Sequence, residues 1–174
     1  MKKYLPIYAL LLLGVICRFL PHLPNFAPIA AIALFGAIYL PKKWALTLPL
    51  LAMLASDIFI GFYTWQIMLS VYLSFALVVG IGLLVKKNKK FHTVLGGTLL
   101  GSVIFFLITN AAVWGFGTMY AHNFSGLIQS YYMAIPFFRN SLLGDLFYTA
   151  VLVGGYEFFL AYSAKKLATA KEVI

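Results

Sequence analysis

The sequence predicts an all-α, polytopic membrane protein with six transmembrane helices and both termini on the cytoplasmic side. Three observations carry that expectation. The chain of 174 residues is 63% hydrophobic and only 10% charged, where a soluble domain needs about a quarter charged residues to cover its surface. Its mean hydropathy is +0.97. Finally, its apolar runs approach the ~20-residue length that crosses a bilayer. The whole chain, 1–174, reads as one integral membrane domain.

The spans fall at roughly 4–19, 26–40, 44–62, 65–85, 94–114 and 141–162. The first follows a basic start and ends near Cys17, as a lipoprotein signal would. However, Ile16 stands where such signals want a small residue, so the run reads as a retained helix. The second run is short for a crossing and can be shallow. It carries small residues four apart, Ala27 with Ala31 and Ala33 with Ala37. Gly97 and Gly101 do the same in the fifth run. Such faces admit close helix contact, within the chain or with a partner. The longest connector, 115–140, is aromatic and uncharged until Arg139, and it can lie in the interface or fold back as a partial helix.

Charge sets the orientation. With six spans, Lys2, Lys3, Lys42, Lys43, Lys86, Lys87, Lys89, Lys90, Lys165, Lys166 and Lys171 share one side, and only Arg18 and Arg139 lie on the other. The positive-inside rule makes the lysine side cytoplasmic. Clustered between apolar runs, the net charge of +9 orients a membrane protein and does not mark a nucleic-acid surface. Cys17 is the only cysteine, so no internal disulfide forms. It reads as apolar filler or as a soft ligand at the edge of a site.

Ionisable residues inside spans are expensive and therefore candidate functional groups. Asp57 and Asp145 stand out, with Asn110 as a weaker third. Counted from the span ends, all three lie at similar depth under the outer face. Arg18, His22 and Asn25 of "CRFLPHLPNFAP" join them there, as do Arg139 and Asn140. This one-sided gathering suggests an outward-facing cup for a small solute. Tyr63 and Trp114 add aromatic surface near its rim. A plainer reading stands beside it: Asp57 pairs with Arg18, Asp145 with Arg139, Asn110 bonds a backbone carbonyl, and these bonds hold helices together. Asn25 can cap the second span, and Asn140 or Ser141 the sixth. The three histidines form no metal-site spacing, and no catalytic or cofactor motif is present, so neither an enzyme nor a resident cofactor is expected.

The words "RFLPHLPNFAPIAAIALFGAIYLPKK", "LLAMLASDIFIGFY" and "AIPFFRNSLLGDLFYTAVL" resemble DUF6580, a family of small bacterial membrane proteins. That family is similar to the S components of energy-coupling factor vitamin transporters. The resemblance implies a six-helix bundle in the bacterial cytoplasmic membrane that binds a vitamin-like solute near the outer face. Loops 18–25 and 115–140 would act as lids, and a coupling membrane subunit with ATPases would be the partner. S components carry an Ala-xxx-Ala docking face on their first helix, whereas this chain has only Ala9 and Gly14 there, five apart. Two other functions fit the residues: a non-transporting scaffold or assembly subunit, and a proton-coupled small-solute carrier.

Overall fold

Residues 5–21 and 23–172 are described by the structure, a computed structural model. The described residues are helical and contain no strand. In chain order they form α1 (Leu5–Cys17), α2 (Ile29–Tyr39), the single turn α3 (Lys42–Ala45), α4 (Thr47–Ile60), α5 (Trp65–Val85), α6 (Phe91–Phe116) and α7 (Phe124–Thr149). A π-helical turn (Ala150–Gly154) then leads into α8 (Gly155–Glu172). Four stretches are long and apolar enough to cross a membrane: Lys42–Ile60, Trp65–Val85, Phe91–Phe116 and Phe124–Lys166. The helices Leu5–Cys17 and Ile29–Tyr39 are apolar but shorter. Large apolar side chains such as Phe59, Phe91 and Phe158 point outward, a surface suited to lipid rather than water.

The shortest of these apolar helices is the most enclosed. In α2, the run Ala31 to Ile38 is buried throughout. At ~1.5 Å per residue it spans only about 16 Å, so it lies within the bundle, against α5, α7 and α1. Its small residues are spent on contacts within the chain. A Cβ on Gly82 of α5 would stand 2.5 Å from the Ala37 Cβ and 3.0 Å from the Leu34 carbonyl. Gly14 of α1 leaves room for Ile32, and Gly36 for the Pro49 ring. Phe75, Val78 and Val79 of α5 complete the core around Leu34, Ala37 and Ile38.

Two boundaries depart from the sequence expectation. The connector expected over 115–140 is helix from Phe124 onward. Asn123 caps it, its side chain accepting from the Gly126 N–H at 2.8 Å. The expected sixth span is the continuation of this helix, so Asn140 and Ser141 lie in its interior and cap nothing. Gln129, Ser130 and Pro136 interrupt the apolar run and hide the helix from a hydropathy reading. Pro136 removes one N–H bond, which long helices tolerate when neighbours support them. The third span is broken at Leu46, between α3 and α4.

Asn25 does not cap α2 either, since Pro28 occupies that position. Instead, Leu23-Pro24-Asn25-Phe26 forms a tight turn. The Phe26 N–H donates to the Leu23 carbonyl at 2.9 Å, and Asn25 takes φ 63°. Proline followed by a residue at positive φ is the pattern of a type II turn, and asparagine tolerates that region better than most residues.

Candidate functional site

Two polar clusters are built into the bundle. The first joins α1, α4 and α5. Arg18, just past α1, reaches the Asp57 carboxylate with Nη2 2.8 Å from Oδ1. Its other terminal nitrogen donates to the Ser56 hydroxyl and, at 3.4 Å, to the Met53 carbonyl. Tyr72 of α5 donates to the second Asp57 oxygen at 2.8 Å. Both oxygens of Asp57 are therefore occupied, and the residue is 3% exposed. The space beside Arg18 is about 10 Å³, room for a water and nothing larger. Tyr63 stands at the rim, where burial and then the Asp57 carboxylate push its phenol up against a smaller pull from Arg18.

The second cluster lies between α6 and α7. Ser141, Asp145 and Thr149 recur every four residues on α7, and Thr98 and Ser102 do so on α6, so two hydroxyl-bearing stripes face each other. Ser102 donates to Asp145 Oδ2 at 2.7 Å. Among the described residues, no lysine or arginine pairs with Asp145, which is 6% exposed. Gly144 lets the chain before α2 close in: its Cβ would stand 3.2 Å from the Phe26 Cα. Asp145 was expected just under the outer face. Its partner Ser102 lies eleven residues into a helix of 26, so Asp145 stands beside the middle of α6. The difference follows from α7 starting at Phe124 rather than at Ser141.

Asp145 borders a cavity of about 40 Å³ with Ala27, Ala30, Phe75, Phe105 and Ser141. Phe105 and Ser141 also line a larger cavity of about 290 Å³, together with Asn25, Thr109, Asn110, Phe106, Phe137 and Phe138. The two share Phe105 and Ser141 and so adjoin as a two-part cup, its larger part lined by amides and phenylalanines and its smaller part bordered by Asp145. From Asn110 to Ser102 is eight residues, a depth of about 12 Å. The Phe106 and Phe138 rings stack at 4.6 Å between centroids. Asn110 donates one amide N–H to the Phe106 carbonyl at 2.8 Å, which leaves its second N–H and its amide oxygen for the lining.

The candidates named from sequence thus separate. Asn25, Asn110 and Asp145 line the cup, whereas Arg18 and Asp57 close on each other beside Tyr63. Asn140 ties α7 to the loop before α2, its amide donating to the Pro24 carbonyl at 3.1 Å. Trp114 donates to the Ala121 carbonyl at 2.9 Å and lies outside the cup lining, as does the exposed Arg139. The Asp145–Arg139 pair is replaced by Asp145–Ser102. His22 lies outside the described residues. Ser102, Thr109 and Ser141 escape a search for ionisable groups, although the four-residue spacing of hydroxyls around Asp145 is there to be read. No group of three or more His, Cys, Asp or Glu side chains gathers as a metal site among the described residues.

The smaller cavity ends where Asp145 meets Ser102. One helical turn farther along, Thr98 donates to the Thr149 hydroxyl at 3.4 Å. These hydroxyls carry polar character towards the lysine-bearing end, where Tyr39 donates to Glu157 at 2.6 Å.

A family described as one of unknown function, DUF6580, matches residues 1–168. No curated protein and no solved structure matches the chain.

Proposed function

The chain belongs to the DUF6580 family, and from that premise we propose that it is a membrane-embedded binding and uptake protein for a small, vitamin-like organic micronutrient. The single observation that carries the reading is Asp145: a nearly buried carboxylate, hydrogen-bonded by Ser102, facing an aromatic-walled cavity. An ionisable group within a span persists where it pairs or serves a site, and among the described residues no cation pairs with this one. Its natural complement is a solute with a flat ring for the phenylalanine walls and a cationic or donor-rich group for the carboxylate. Asn25 and Asn110 would read the solute's rim-side polar atoms. Arg18 and Asp57 then have a different task from the one expected of them: they hold α1, α4 and α5 together, and Arg139 takes no part in the lining.

The lysine distribution supports a six-span arrangement with both termini in the cytoplasm and the cup facing outward, and the sequence resemblance suggests the bacterial cytoplasmic membrane. Mass spectrometry of small molecules that co-purify with the protein tests the proposal. A ring-bearing amine or amide is expected with the native chain and not with Asp145→Asn. Equal recovery from both would reject the site.

A second reading, a proton-coupled carrier, draws on the hydroxyls of Ser102, Thr98 and Thr149 below the cup. It requires uptake that collapses when the proton gradient is dissipated. The scaffold reading is weakened by the small-residue faces of α1, α2 and α5, because those are already occupied within the chain.

A further inference from the structure

The end of the bundle opposite the cup holds a second and larger space, about 390 Å³, between α6 and the π-turned end of α7. Val94 and Leu95 line it from one side, and Leu146, Ala150 and Val153 from the other. Its closed end is the Thr98–Thr149 contact. Its open end is marked by Tyr39, Lys89 and Glu157.

Two features of this cleft specify an occupant. The first is length. Leu146 and Glu157 are eleven residues apart, about 16 Å along the helix, roughly half of a ~30 Å hydrocarbon core. That is the depth of one leaflet. The second is charge. Lys86, Lys87, Lys89 and Lys90 crowd the loop at the open end. Glu157 is the one carboxylate lining the cleft, and it already accepts the Tyr39 hydroxyl at 2.6 Å. Lys86 donates to the Leu40 carbonyl, and burial followed by repulsion from Lys89 pushes its ammonium down. Lys89 lies 5.1 Å from the centre of the Tyr39 ring, which fixes a positive charge over the mouth. An apolar slot one leaflet deep under a basic rim matches an anionic amphiphile, and basic pockets between membrane helices take anionic head groups.

We infer that this cleft binds one anionic phospholipid, an acyl chain lying between α6 and α7 and the head group resting on the lysines of residues 86–90. The site is separate from the cup and stands whether or not the uptake reading does.

Native mass spectrometry of the detergent-purified chain tests it, with phosphatidylglycerol and phosphatidylcholine supplied in equal amounts. One phosphatidylglycerol is expected to stay bound in clear preference to phosphatidylcholine. Replacing Lys87, Lys89 and Lys90 by glutamine should weaken its retention roughly hundredfold, at about fivefold per lysine. Gly154→Leu should expel the lipid by filling the slot. A Cβ at Gly154 would meet nothing within 4 Å, so an unchanged melting temperature in delipidated detergent will show that the fold survives. Ala150→Phe provides a second block from the same helix, one turn nearer Leu146. Equal retention of the two lipids would overturn the inference. So would undiminished phosphatidylglycerol binding by both blocked variants, or a dimer in which a second copy of the chain shields the cleft from lipid.

Discussion

Asp57 and Asp145 are the two aspartates of this chain, each on a long apolar helix, and their surroundings are opposite. Asp57 has an arginine on one oxygen and a tyrosine on the other, beside a space of about 10 Å³. Asp145 has a serine on one oxygen and borders a small cavity that shares Phe105 and Ser141 with one of about 290 Å³. The first arrangement is closed and leaves no room for a ligand. The second is incomplete as it stands, and a solute would complete it. On the proposed reading the same residue type serves as a lock at one place and as a binding group at another, and the difference lies in what the neighbouring helices bring to it.

The comparison can be broken most forcefully at the lock. Arg18→Ala or Asp57→Ala should cost about 3–5 kcal/mol, because either leaves a buried charge unpaired. Replacing the pair together by Met and Leu should recover most of that loss. Melting temperature in detergent reads both effects, and a mild effect of the single variants would remove the lock. Asp145→Asn should behave in the opposite way. Ser102 can still donate to the amide oxygen, so stability should change little, while solute affinity falls by about 10- to 100-fold, the equivalent of a hydrogen bond to a charged group at ~1.5–3 kcal/mol. Isothermal titration with the co-purified solute checks this. If Asp145→Asn melted early and bound normally, the two aspartates would be alike after all.

Smaller effects sharpen the picture. Gly82→Ala places a methyl against Ala37 and the Leu34 carbonyl and should cost about 1–3 kcal/mol by overpacking, visible as an earlier melt with no change in affinity relative to stability. At Asn25 the two roles come apart. Asn25→Gly preserves the turn at φ 63° and removes only the rim amide, so it should weaken binding alone. Asn25→Ala should also lose about 1 kcal/mol of stability, the cost of a left-handed backbone for an ordinary residue.

Much of this architecture is legible in the sequence. Low charge and long apolar runs point to membrane helices, and α5 falls on its expected bounds, 65–85. The Arg18–Asp57 pair is the plainer alternative that those residues already suggest, and the Asn110 bond to a backbone carbonyl likewise. The long α7 is not legible, because hydropathy averages over Gln129, Ser130 and Pro136 whereas backbone hydrogen bonding runs through them. That one boundary places Asp145 deep within a long helix, beside the middle of α6, and removes the partner expected for Arg139. The cup is only half visible for a related reason. Attention to ionisable groups finds Asp145, but its serine and threonine neighbours become informative only once α6 and α7 are known to lie side by side.

The π-helical turn at Ala150–Gly154 has a consequence for phase. Each α-helical residue advances the side-chain direction by about 100°, and a π turn takes up one residue more than an α turn. Asp145 and Thr149 face α6, while Tyr156, beyond the turn, meets Phe35 edge-on at 5.9 Å. The two halves of one continuous helix are thus clocked independently. Deleting a single residue between 150 and 154 would let this turn close as an ordinary α turn and keep Tyr156 and Glu157 facing α2, whereas a deletion elsewhere between Asp145 and Tyr156 would swing them about a quarter-turn away. The insertion acts as a vernier, letting the upper half be set for the cup and the lower half for the rim of the cleft without one adjustment spoiling the other.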